Sequence, residues 1–175
     1  MTWRDTMLDS YSRVWELLEP ALAGLSPADL DEMPRPDCNP MGWLAWHIGR
    51  IQDSQIADLM GKEQAYIAER WYEKFGRPAD PQDTGFGQTP EQVAAFRAPE
   101  PKVLLDHYRA VEARTLAYVA GLRDDDLSRE LDEPQFQPLP TVGVRLVSIM
   151  ADDLEHVGQV AYVRGLLQGK GWQKF

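Results

Sequence analysis

Prolines set the limits within which this chain can fold. The thirteen prolines leave four proline-free windows, at 1–19, 41–77, 102–133 and 141–175. Helices are confined to such windows, because proline lacks an N–H and its ring collides with the preceding turn. Each window carries a helical apolar period. In the first, Trp3, Met7, Tyr11, Val14, Leu18 and Ala21 step by four and three along one stripe. The steps run past Pro20, so this helix ends within a few residues of it. In the second, Asn39-Pro40 predicts an N-cap followed by proline at the first helical position. Leu44, His47, Ile51, Gln55 and Leu59 then carry the stripe to Gly61. The third starts near Pro101 and aligns Leu104, Tyr108, Val111, Thr115, Tyr118 and Leu122; the fourth starts near Thr141 and aligns Ile149, Asp152, His156, Val160, Val163 and Leu167 before Gly169. No strand-type alternation competes. The expectation is an all-α four-helix bundle, with residues 1–175 forming a single domain.

The connections differ in kind. Ser26-Pro27-Ala28-Asp29 and Thr89-Pro90-Glu91-Gln92 both read as capped helical turns with proline just inside. Between the second and third helices, residues 62–98 supply far more chain than a tight turn needs, and they carry Trp71, Tyr72, Phe75, Phe86 and Phe96. Two readings stand level here: a partly ordered flap over something, or a satellite cluster covering one bundle end. Asp124-Asp125-Asp126 reads as a solvated helix start.

The net charge is −10, which disfavours nucleic acid and anionic membrane surfaces as partners, since both reward clustered Lys and Arg. No apolar run approaches the roughly 18 residues that a bilayer span needs, and MTWRDTMLDS lacks a signal-peptide core. A cytoplasmic location is expected. One cysteine, Cys38, allows no intramolecular disulfide and no cysteine-rich zinc site. It precedes the second helix, where the dipole favours a thiolate, but the simpler reading is a small loop residue.

Chemistry concentrates on two stripes. His47 interrupts the apolar stripe of the second helix, while Asp152 and His156 stand four apart on the seam of the fourth. An ionised carboxylate facing a core costs several kcal/mol unless a cation pairs with it, and no Lys or Arg shares that seam. Either the helix is rotated from this estimate, or the positive partner comes from elsewhere, as a divalent metal would. Two imidazoles and one carboxylate leave a coordination position open, the arrangement of catalytic metal sites. Plainer readings compete: a hydrogen-bonded core histidine at 47 and a simple Asp–His ion pair at 152 and 156. His107 falls beside the stripe of the third helix and reads as a surface or boundary residue. A di-iron carboxylate centre lacks its second Glu-x-x-His pair, and neither HExxH, P-loop, GxGxxG nor GxSxG occurs.

Three segments resemble the DinB superfamily, which includes YfiT-like proteins and mycothiol-dependent maleylpyruvate isomerases. GWLAWHIGRIQDSQ (42–55) is similar to the family's second-helix histidine motif, and DDLEHVGQVAYVRGLL (152–167) to its last-helix His-x-Gly-Gln motif. WYEKFGRPADPQDTGFGQTPEQVAAFRAP (71–99) resembles the linking segment of actinobacterial members. The resemblance implies a divalent metal, zinc first with nickel or iron as alternatives, held by His47, Asp152 and His156. Where the all-histidine version has a second histidine, the isomerase branch has glutamate; Asp152 resembles that branch with a side chain one methylene shorter. Asp153 or a water is the alternative donor.

The resemblance also implies an activity: a metal-activated low-molecular-weight thiol, mycothiol in actinobacteria, attacks a small electrophile. S-transfer is expected over isomerisation, because the isomerases carry a further C-terminal domain. Two other readings remain open, a non-catalytic metal- or ligand-binding protein of a stress response and a metal-free helical interaction module. A homodimer is compatible with each.

Overall fold

The structure, a computed structural model, describes residues 1–173. Helix α1 (Trp3–Leu22) starts at a capping box in which Thr2 Oγ1 accepts from the Asp5 N–H and the Asp5 carboxylate accepts from the Thr2 N–H. Pro20 lies in its last turn, where the carbonyls of Pro20 and Ala21 accept from the Arg164 guanidinium at 2.8 and 2.9 Å. Helix α2 (Pro27–Asp31) is the short turn expected at Ser26, closed by a Ser26–Asp29 capping box. Helix α3 (Met41–Met60) begins one residue later than the sequence predicts: Pro40 is its extended N-cap, and Asn39 makes no cap. It ends at Gly61, whose φ of 61° provides the left-handed stop.

Two single turns, α4 (Ala65–Ala68) and α5 (Trp71–Lys74), open the long connection, and α6 (Pro90–Ala95) closes it behind a Thr89–Gln92 capping box. Helix α7 (Pro101–Gly121) and helix α8 (Val142–Gln168) complete the bundle. The expected start at Asp124–Asp126 is a short 3-10 turn, Asp124–Ser128. Among the described residues there is no strand, only an isolated bridge between Glu130 and Thr141.

Helices α1 and α3 each pack against both α7 and α8, so the four long helices form a ring with α1 diagonal to α3. The predicted stripes face inward. Tyr11, Val14, Leu18 and Ala21 of α1, with Leu104, Tyr108, Val111 and Thr115 of α7, are buried; Tyr118 is half-buried while Val119 takes the core position. Helix α3 departs from a one-sided pattern. Every residue from Met41 to Asp53 is buried, because α2 and the 62–98 connection cover the side that would otherwise meet water.

The connection is continuous with the main core, to which Tyr66, Trp71, Phe75, Val93 and Phe96 belong. The satellite reading is therefore overturned. Phe86 is the exception among its aromatics, at 87% exposed. The same packing corrects the reading of His107, which is fully buried between Gly49 of α3 and the rings of Tyr66, Trp71 and Phe75. The stripe of α7 is widened on that side by the connection, whose docking no local period announces. Among the described residues, no helix is long and apolar enough to cross a membrane.

Candidate metal centre

Helix α8 is rotated by about one residue from the sequence estimate. Its core line runs through Ile149, Asp153, Val157 and Val160, and Asp152 and His156 flank this line, half-buried at the border with α3. That border brings them to His47. One ligand-type atom from each of His47, Asp152 and His156 lies within 4.8 Å of the others, and the two imidazole rings meet edge to face with centroids 4.9 Å apart.

The tautomers follow from the hydrogen bonds. His47 Nδ1 stands 2.6 Å from the Thr84 carbonyl, which can only accept, so Nδ1 carries the hydrogen and Nε2 keeps a lone pair. His156 Nδ1 donates to Gln159 Oε1 at 2.9 Å, and the Gln159 amide donates onward to Glu155. His156 Nε2 then presents its lone pair to Asp152 Oδ1 at 3.5 Å. Two electron-rich atoms in that position repel unless something positive lies between them. A proton on His156 would satisfy this pair alone, whereas a cation at the centre satisfies all three groups. Asp152 Oδ2 is buried without any hydrogen-bond partner among the described residues, a second sign of an unanswered lone pair. Outer partners of this type on both histidines are the usual way a protein orients metal-ligating imidazoles.

Burial pushes His47 down from its ordinary pKa, while the Asp152 carboxylate facing Nε2 favours the protonated form of His156 and pushes it up. Tetrahedral donors at about 2.0–2.1 Å from zinc stand roughly 3.3 Å apart, so the trio has to draw in slightly around an ion. The half-exposed Asp152 and His156 have room to do so.

His47 is held by the connection. Trp43 stacks on its ring at 4.7 Å and 10°, and the Trp43 indole N–H donates to Gln88 at 2.9 Å. Gly85, at φ 89°, lets the chain pass so closely that a Cβ there would stand 2.8 Å from both His47 Nδ1 and Trp43. The turn before it is gathered by Arg50, one helical turn beyond His47 and wholly buried. Its guanidinium donates to the carbonyls of Asp80, Pro81 and Asp83 and to Gln64, and lies 3.8 Å over the ring of Tyr66.

Asp153 does not join the trio. It points into the bundle, fully buried, with both carboxylate oxygens unpartnered, and burial with the neighbouring Asp152 charge pushes its pKa well up. Burial favours its neutral acid form, and burial likewise pushes the nearby phenols of Tyr11 and Tyr108 up. Thr84, Gly85 and Arg50 are absent from the sequence reading of the site. Thr84 acts through its carbonyl and Gly85 through a missing side chain, so neither leaves a residue-type signal. Arg50, a charge inside an apolar window, did leave one. Gln159 was legible as the last residue of the His-x-Gly-Gln motif. Cys38 sits half-buried in the loop before α3, unbonded to the trio.

Two cavities flank the trio along the α3–α8 border. One, of about 1260 Å³, opens where Ile51, Thr84 and Ser148 meet the 129–140 loop and has a mixed wall, with Leu59, Phe136 and Leu139 beside Gln55, Arg129 and Arg145. The other, of about 790 Å³, lies between the 34–39 loop and α8 and is mainly apolar.

Comparison with known proteins agrees with this architecture. A family model described as the DinB superfamily matches residues 10–160. The crystal structure of a conserved protein from Enterococcus faecalis is 32% identical and superposes with a TM-score of 0.89, covering 97% of this chain and 99% of that one. Among curated proteins, none matches.

Proposed function

The chain belongs to the DinB superfamily, and on that premise we propose that it is a metal-dependent transferase, using a low-molecular-weight thiol such as mycothiol as nucleophile toward a small electrophile. His47, Asp152 and His156 are the ligands of a divalent cation, zinc first, with nickel or iron as alternatives. One observation carries the reading: two imidazoles with their Nδ1 atoms already committed, and a carboxylate with an unanswered buried oxygen, converge within 4.8 Å. Three protein donors leave a position for an exchangeable group, and a bound divalent cation lowers the pKa of a thiol there, favouring the thiolate at neutral pH.

The protein's own residues prepare the rest. Thr84 and Gln159 hold each imidazole in the tautomer that offers Nε2. Trp43, stacked on His47, keeps water from one face of the ring. The half-exposed side at Asp152 and His156 is the route by which the thiol proton leaves to solvent. Sulfur then bonds to the electrophilic carbon, and the leaving group departs with the electron pair of the bond that breaks.

Metal analysis of freshly purified protein, followed by conjugation of mycothiol to monobromobimane, tests this. Stoichiometric metal and a rate raised by the loaded protein are expected, both lost in His47→Ala and His156→Ala. A rate indifferent to the loaded protein would leave a metal-binding protein without this activity. Absence of metal in the wild type would leave the Asp152–His156 contact as a plain ion pair.

A further inference from the structure

The outer faces of the long helices differ in chemistry. Exposed positions on α1 carry Asp9, Arg13 and Glu16, and those on α7 carry Lys102, Asp106 and Arg109. On α8, Val144, Val147, Ala151, Leu154, Gly158 and Tyr162 step by three and four along one line on the side away from the core, and the line ends at Gly165 with no charge on it. Val144, Val147, Leu154 and Tyr162 are 53%, 58%, 38% and 69% exposed. We propose that a second copy of this chain docks here, its α8 antiparallel to the first, across a two-fold axis passing between Leu154 and Glu155. The proposal does not depend on the transferase reading.

The occupant follows from how the line reads backwards. An isologous pair sets a residue of one copy against a second residue of the other, and the second against the first. Turned about that axis, Val144 meets Gly165, Val147 meets Tyr162, Ala151 meets Gly158, and Leu154 meets its own counterpart. Every position on the line thus faces another position on the line, and the glycines receive side chains. At Gly158 and Gly165 nothing in this chain lies within 4 Å of where a Cβ would stand. Glycine weakens a helix and permits close approach, so both leave room for a neighbour that the chain itself does not supply. Parallel pairing would set glycine on glycine and Tyr162 on Tyr162, a gap beside a crowd.

Charge and area agree. Two copies of net charge −10 repel each other, which favours contact through a face without charge. Glu155 stands beside the line and accepts from the Gln159 amide of its own chain. From Val144 to Gly165 the helix runs about 32 Å, and half the girth of a cylinder about 10–12 Å across gives about 550 Å² per copy, or about 1,100 Å² in the pair. That passes the roughly 1,000 Å² a biological interface should clear. Because the axis crosses both helices at right angles, the flanks that carry Asp152 and His156 open on the same side of the pair, level with the crossing.

Sedimentation velocity of the full chain at micromolar concentration is expected to give the mass of two chains. Leu154→Glu sets two carboxylates against each other across the axis, and Gly158→Glu drives one against Ala151; both positions are exposed, so the fold tolerates them. Each is expected to raise the Kd of the dimer by about 100-fold or more, with the helical circular dichroism of the wild type retained. Cross-linking fixes the register. In a Cys38→Ser background, Leu154→Cys alone should oxidise to a covalent dimer, and Ala151→Cys should do so only together with Gly158→Cys. A monomeric wild type, which would leave this face to a different partner, overturns the proposal. So does a dimer indifferent to both glutamates, or cross-linking by Ala151→Cys alone.

Discussion

The two halves of the candidate centre are built by opposite means. On α8, Asp152, His156 and Gln159 follow one another at spacings of four and three, so helical geometry alone lines them up. On α3, His47 owes its orientation to chain far away in sequence: Thr84 supplies the carbonyl, Gly85 the close approach, and Arg50 the grip on the preceding turn. The α8 half is half-exposed and adaptable, the α3 half buried and fixed. On the proposed reading, a site assembled this way would keep one rigid reference ligand and let the other two close on an ion.

The largest expected effect is loss of a ligand. His47→Ala should lower metal affinity by more than the roughly 10–100-fold typical of losing an outer partner, read by competition with a chelating dye. A smaller loss would break the claim that the α3 half anchors the site. Next comes Gly85→Ala, which keeps all three ligands but drives a Cβ toward His47 and Trp43. Its cost should fall within that roughly 10–100-fold range, with the metal-free fold weakened by about 1–3 kcal/mol through overpacking and strain at positive φ. Chemical denaturation measures the second part.

Gln159→Leu sharpens the contrast. Gln159 is half-exposed, so water can replace its carbonyl oxygen. The affinity should fall by about tenfold or less, and a loss matching that of Gly85→Ala would show the two halves to be equally dependent on their outer partners.

Outside the centre, the expected effect is a pH dependence of stability. His107 packs the connection against α7, and burial pushes its pKa from 6.5 down to about 3. Below about pH 6.5 the unfolded chain takes up a proton that the folded chain refuses, so stability falls as pH drops toward 3 and levels off beneath it. The slope from this group is at most about 1.4 kcal/mol per pH unit. His107→Phe should flatten that limb in urea titrations between pH 6 and 4, whereas an unaltered limb would remove His107 as its source.

Much of the architecture was legible in the linear chain. The proline-free windows and their stripes located all four long helices, and Ser26-Pro27 and Thr89-Pro90 located two short ones. The spacing of Asp152 and His156 and the interruption of a stripe by His47 drew attention to the three groups that the fold brings together. The errors share a cause. Asn39 was read as the N-cap, one residue ahead of Pro40; α8 was phased on Asp152 when Asp153 is the core residue; His107 was put at the surface or boundary. For His107 and α8 the deciding contacts come from distant segments, and shifts of one residue, the cap's included, leave the apolar period almost unchanged.

Apolar periodicity and capping are local properties, carried by residues three or four apart, and so the sequence by itself determined the helices and the pairing of Asp152 with His156. Only the tertiary structure decided that Asp153 is buried away from the trio, that residues 62–98 close over α3, and that a backbone carbonyl and an absent side chain fix His47. Those outcomes depend on how separate surfaces dock, which is set by shape and by the pairing of buried polar groups between segments, and neither is written in the spacing of any one of them.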